Sequence, residues 1–141
     1  EMDPELVALM DAGRAMRAVD FARIDRMRTA MWHDLARIFE THDALLCPTM
    51  ALPAPAKDAP AASFDRVEEG GRLHGLDMTA VFNMVGQCPA LSVPSGATRA
   101  GLPTGAQIVA DRFDDPCALR IGRAVERALP WRPWTPDALA P

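Results

Sequence analysis

A chain of 141 residues fits one domain, and a domain of that size buries roughly 68–70% of its unfolded surface, so length alone permits a core. With 15 Lys and Arg against 19 Asp and Glu, the formal net charge is -4; the clustered cations that displace counterions from a phosphate backbone are missing, which argues against nucleic acid as a partner. The longest apolar stretch, residues 80–93, is broken by Asn83, Gln87 and Pro89, whereas a membrane span needs about 20 nearly uninterrupted apolar residues, so a soluble chain is expected.

At the start, Asp3, Pro4 and Glu5 are the cap, first-turn and dipole residues of a short helix that Gly13 closes. Leu6, Leu9, Met10 and Gly13 would form its inner face. Over residues 20–39, Phe21, Ile24, Met27, Met31, Leu35 and Ile38 recur every three or four positions, opposite Arg23, Arg26, Arg28, Asp34 and Arg37. That spacing predicts a longer helix with one buried and one wet side. Thr41-His42-Asp43 then turns the chain into Ala44-Leu45-Leu46-Cys47, a continuous apolar run that fits a strand covered on both faces and stopped by Pro48.

Residues 50–75 contain Pro53, Pro55, Pro60, Gly70, Gly71 and Gly75 and predict a long loop without a regular element. In residues 76–85, Leu76, Met78, Ala80, Val81, Phe82, Met84 and Val85 cover every side of a helical wheel, so that helix should be buried all round. Short strands follow near 90–94 and 105–110, with Ser95-Gly96 read as a turn and Gly101-Leu102-Pro103 as a turn signal. Asp114-Asp115-Pro116 caps a last helix with Leu119, Ile121 or Ala118, Val125 and Leu129 along one face, and Pro130 ends it. The tail 130–141 is expected to be extended.

Nucleophilic chemistry needs a base within hydrogen-bond reach and converging oxyanion donors, and neither is legible here. Ser63, Ser92, Ser95 and the single lysine Lys57 lack relay spacing, and Cys88 with His74 has no sequence support as a thiol–imidazole pair. Glu68-Glu69 and Asp114-Asp115 are explained by solvation and helix capping. Cys47, Cys88 and Cys117 are odd in number and widely spaced, so they read as small buried apolar residues in a reducing compartment, neither a disulfide framework nor, with His33, His42 and His74, a metal site. No basic region followed by an apolar run marks a secretory signal at the start, and a cytoplasmic location is expected.

Four blocks stand in order: Asp43-Ala44-Leu45-Leu46-Cys47-Pro48-Thr49; Thr79 with Phe82-Asn83, Gly86 and Cys88-Pro89-Ala90-Leu91-Ser92-Val93-Pro94-Ser95-Gly96; Gly101-Leu102-Pro103-Thr104-Gly105-Ala106-Gln107; and a final helix that begins near the acidic pair Asp114-Asp115. In content and spacing they resemble the C-terminal part of the amidase signature enzymes. The resemblance implies an α/β chain, part of a mixed-sheet α/β/α fold, from an amide hydrolase or amidotransferase subunit that works by acyl transfer through a Ser–cis-Ser–Lys triad and uses no cofactor. The Gly/Ser-rich signature and the upstream lysine of that triad do not occur in this sequence, so no catalytic residue is assigned. The expectation is therefore a single C-terminal fragment, with helices in 1–40, a loop in 50–75, a helix-strand-strand-helix unit in 76–129 and the tail 130–141. Its partners would be the remaining N-terminal part of the amidase, a small-molecule amide and further copies of itself. Thr79, Asn83 and Gln87 are the polar groups of an apolar segment and are the candidate substrate-binding residues; a plainer role, with Asn83 and Gln107 bonding backbone, stands beside that. The alternative function is a stand-alone, non-catalytic binding module that uses the apolar 76–93 surface.

Overall fold

Capping, proline and glycine signals cut this sequence into helices joined to short strands, and a computed structural model describes the result for residues 4–60, 66–67, 73–74 and 78–131, without the side chains of 4–6, 66–67 and 73–74. Helix α1 spans Pro4–Arg14; its expected cap, Asp3, lies outside the described residues. The inner face expected for it is not buried, since Leu9 is 70% exposed and Val7 and Met10 are exposed as well. Helix α2, Ala18–Phe39, starts two residues before its sequence signal. There Arg17 takes the cap position with extended backbone and reaches forward to the Asp20 carboxylate at 2.8 and 3.1 Å. Only its C-terminal half reaches the core: Leu35 is buried with Met31, Trp32, Ile38 and Phe39 packed around it, while Phe21 is 64% exposed.

Strand β1, Ala44–Pro48, is an edge strand paired antiparallel to β5 (Pro103–Ala110) alone. The expectation of cover on both faces fails, for Leu46 is 55% exposed; the helix that covers that face packs chiefly on the other two strands of the sheet. Within the long loop, β2 (Arg66–Val67) and β3 (Leu73–His74) form a small antiparallel pair, so the loop is not wholly without regular structure.

The apolar run that follows departs most from its reading. Helix α3 is only Ala80–Asn83, and residues 76 and 77 lie outside the described residues. Beyond it the backbone bonds become i to i−3: Met84 N–H to Val81 O, Val85 N–H to Phe82 O and Cys88 N–H to Val85 O. Three-residue turns stack i and i+3 on one edge. Phe82, Val85 and Cys88 therefore face inward against Leu35 and Val109, and Val81 is left 52% exposed. The segment is buried on one edge, not all round.

Strands β4 (Ala90–Ala97) and β5 (Pro103–Ala110) complete a three-stranded antiparallel sheet in the order β1-β5-β4. Ser95-Gly96 is not the hairpin turn: pairing shifts between Pro94 and Gly96, so Ser95 sits in a bulge and Gly96 follows at φ 133°, a conformation that suits glycine. The turn comes at residues 98–102, closed by Thr98 N–H to Leu102 O at 2.8 Å. Helix α4, Asp115–Ala128, begins as read, with the Asp114 side chain accepting from Cys117 N–H at 3.1 Å and a proline in its first turn. Its inward side is Cys117, Ala118, Ile121 and Gly122, whereas Leu119 points out and is 61% exposed.

Side chains alternate across a strand, and that alternation gives the sheet two separate cores. Val109 and its neighbour in register Leu45 lie on the α2 and α3 side, in the cluster with Leu35, Val85 and Cys88. Ala110, one residue on, belongs to the other face with Cys117, Ala118, Leu91 and Ile121. Gly122 allows α4 to come this close, because a Cβ there would stand 2.5 Å from Leu91 Cδ2.

Candidate functional site

The apolar half of the α3-side face ends at the row Cys47, Gln107, Ser92, which register places side by side across the three strands. One step further, Thr49 N–H bonds Gly105 O at 3.0 Å, and Thr49 Oγ1 meets Ser92 Oγ at 2.8 Å across β5. Gly105 makes that meeting possible. A Cβ at this position would lie 2.9 Å from Thr49 Oγ1 and 3.3 Å from Ser92 Oγ. Gln107 is 2% exposed, and a buried amide must find partners. Its Nε2 donates to Pro48 O and to Met78 O, each at 3.3 Å. One side chain thus ties the exit of β1 and the approach to α3 to the central strand, which is the backbone-fixing role read for Gln107.

The three candidate binding residues are not brought to one point. Thr79 precedes α3, half-buried, with its carbonyl accepting from Phe82 N–H and Asn83 N–H, beside the Met78 carbonyl that Gln107 holds. Asn83 is one turn on and exposed. Gln87 lies past the i to i−3 turns, in a separate recess lined by Asp25, Arg28, Trp32, Met84 and Arg112, and its carbonyl accepts from Phe113 N–H at 2.9 Å.

On the opposite face of the sheet, beyond the reach of α4, Pro48, Met50, Leu52, Pro53, Pro103 and Ala106 line an open groove of about 660 Å³. Ser95 and Thr104 border it, their hydroxyls 3.1 Å apart. An apolar wall with a few polar groups at its margin is the usual make-up of a small-molecule pocket. This arrangement can hold and orient a ligand. It does not assemble a nucleophile and base among the described side chains: Ser92 is engaged by Thr49 and Ser95 by Thr104, while burial, then the nearby Asp111 carboxylate, pushes the Cys88 thiol up and keeps it protonated. Ser63 and the His74 side chain fall outside the described residues.

Sequence reasoning passed over the Thr49–Ser92 pair and the recess around Arg112. The first had a weak signal, since strand alternation from Cys47 and Gln107 places Thr49 and Ser92 on one face; the second joins residues from distant parts of the chain and had none.

The model of the family described as Amidase matches residues 3–119. A glutamyl-tRNA(Gln) amidotransferase subunit of Myxococcus xanthus (strain DK1622) is 40% identical over 108 residues, which is 76% of this chain and 21% of that protein. The acylamidase of Rhodococcus erythropolis is 30% identical over 132 residues, 93% of this chain and 28% of its own length. Among solved structures, a bacterial aryl acylamidase of the amidase signature enzymes superposes with a TM-score of 0.73 at 28% identity, over 94% of this chain and 29% of that one. The chain thus spans between a fifth and a third of the length of these relatives.

Proposed function

This chain belongs to the amidase signature family, and from that premise we propose that it is the C-terminal region of an amide hydrolase, forming part of the sheet and part of the substrate pocket. The chemistry belongs to a Ser–cis-Ser–Lys triad carried by upstream amidase sequence, with acyl transfer from a small amide through the serine. One observation carries the division of labour. The described side chains build a groove and a braced sheet, yet Ser95 and Thr104 at the groove are paired with each other, and Ser92 on the other face with Thr49, none of them with a base. Activation of a serine needs that base. The exposed apolar side chains of α1 and α2 (Leu9, Phe21, Met27) are where the remaining amidase sequence would pack.

Within this reading Thr79, with the Met78 carbonyl held by Gln107, and Asn83 one turn away face the approaching amide. Gln87, set apart in its own recess, contributes less. A cytoplasmic setting is supported by Cys47, Cys88 and Cys117 being free thiols; among the described residues no helix is long and apolar enough to cross a membrane. A stand-alone binding module using the 76–93 surface is favoured by no observation, because Val85 and Cys88 of that segment are buried against Leu35 and Val109.

The test is amide turnover by the 141-residue chain alone and by the same chain joined to, or mixed with, amidase sequence carrying the triad. The chain alone is expected to hydrolyse no amide, and in the active assembly Ser92→Ala and Ser95→Ala should keep kcat within roughly tenfold wherever the protein stays folded. Steady turnover by the chain alone, abolished by Ser92→Ala, Ser95→Ala or Cys88→Ala, would put the chemistry in these residues and overturn the proposal.

A further inference from the structure

The recess that holds Gln87 carries more positive than negative charge in its lining. Its walls come from α2 (Asp25, Arg28, Trp32), from the turns after α3 (Met84, Val85, Gln87) and from Arg112 just past β5, around a cavity of about 150 Å³. Arg28 Nε donates to Met84 O at 2.8 Å, a neutral partner that fixes the guanidinium without cancelling its charge. The carboxylate supplied by the same helix, exposed Asp25, comes only within 3.5 Å of Arg28 Nη1, and such exposed i,i+3 pairs are weak. The Arg112 guanidinium has no carboxylate partner among the described residues, although its backbone N–H donates to the exposed Asp111 carboxylate at 2.6 Å. Its guanidinium lies instead over the Trp32 ring, 4.9 Å from the centroid, and 5.4 Å from that of Phe113.

Two constraints hold Arg112 there. Phe113 adopts φ 58°, an outlier for a bulky residue that persists only where the surroundings fix it, and its N–H is tied to Gln87 O at 2.9 Å. The recess therefore presents two guanidinium groups, one exposed carboxylate, one primary amide and an apolar floor of indole, Met84 and Val85, with a net charge of one positive. Planar guanidinium forks match a carboxylate in a bidentate way that an ammonium group does not. We propose that this recess is a binding site for a monocarboxylate with a short apolar body, the carboxylate held between Arg28 and Arg112 and the body against Met84 and Val85. The inference goes beyond the amide-hydrolase reading, in which Gln87 has a lesser part, and its readout is binding, so it fails or holds whatever the turnover test gives.

The carboxylate can arrive as a free acid or as a glutamate side chain of another polypeptide segment, and the probes separate these. Isothermal titration of the intact protein with propionate, with neutral propionamide and with N-acetyl-glutamate amide gives the three arms. Saturable binding of propionate in the millimolar range, with none of propionamide, is expected. Arg112→Gln should weaken it about tenfold or more, while Arg112→Lys recovers part; an unchanged melting curve shows that exposed Arg112 can be replaced without unfolding. Saturation by N-acetyl-glutamate amide and not by propionate would overturn the free-acid form and assign the site to a protein side chain. Failure of both carboxylates to saturate, equal binding of propionamide, or binding that survives Arg112→Gln would overturn the proposal.

Discussion

Gly105 shows how much one missing methyl decides. Any side chain here must push apart Thr49 Oγ1 and Ser92 Oγ, which stand 2.9 and 3.3 Å from where its Cβ would be, and so break their 2.8 Å hydrogen bond. Gly105→Ala should lower unfolding free energy by about 1–3 kcal/mol, the usual range for overpacking. In a Thr49→Ala background the same change should cost visibly less, because the closest atom has gone; denaturant midpoints of the four proteins check this, and equal costs in both backgrounds would refute it. Cys88 makes a pH prediction. Burial and Asp111 raise its thiol above the ordinary value near 9, so the folded state keeps a proton that the unfolded state releases. Stability from the neutral thiol is then whole below the ordinary value and is lost as pH climbs from there toward the raised one. Melting temperatures between about pH 7 and pH 10 should fall more steeply for the wild type than for Cys88→Ala, and parallel curves would contradict this.

At the scale of elements, the cap of α4 was legible and much of the burial was not. The Asp114 cap of α4 is satisfied as its sequence pattern requires, and Asp114→Ala should cost roughly 1 kcal/mol, within the usual range of about 0.5–2 for a lost N-cap; circular dichroism melts measure it, and no loss would mean that Pro116 alone sets the helix start. On the inner side of α4, Ala118 and Ile121 stand as the spacing indicates, whereas Leu119 and Leu129 are turned out. Contact with Leu91, Val93 and Ile108 at Gly122 instead selects small residues, Cys117, Ala118 and Gly122, where helix and sheet come closest. In α3 an all-round apolar wheel suggested an all-round buried helix. The tighter turns after residue 83 instead sort the same residues by three, so Phe82, Val85 and Cys88 pack inward.

For the molecule as a whole, the exposed apolar side chains decide how the chain behaves by itself. Leu9, Phe21, Met27, Leu119 and Leu129 are each more than half exposed, more large apolar surface than a solitary domain usually shows to water. The purified chain should self-associate or bind a dye that reports apolar surface. Phe21→Gln should reduce that association while changing unfolding free energy by less than about 0.5 kcal/mol, as for other exposed positions. Light scattering that finds a compact monomer without dye binding would count against these faces being contact surfaces.

What the sequence determined by itself is what neighbours a few residues apart can encode. The helix over 20–39, the strands near 44–48, 90–94 and 105–110, the Asp114 cap and the ordered blocks that identify the amidase signature all rest on short-range spacing, dihedral restriction and capping, and they stand. Tertiary structure alone decided which sides are covered and which polar groups meet. Gln107 finds its acceptors 59 and 29 positions away, Ser92 meets Thr49 across 43, and Arg112 lies over Trp32 from a distant part of the chain. Periodicity can say that a helix has an apolar side; it carries no information on what stands opposite, because that depends on contacts formed only when the whole chain has closed.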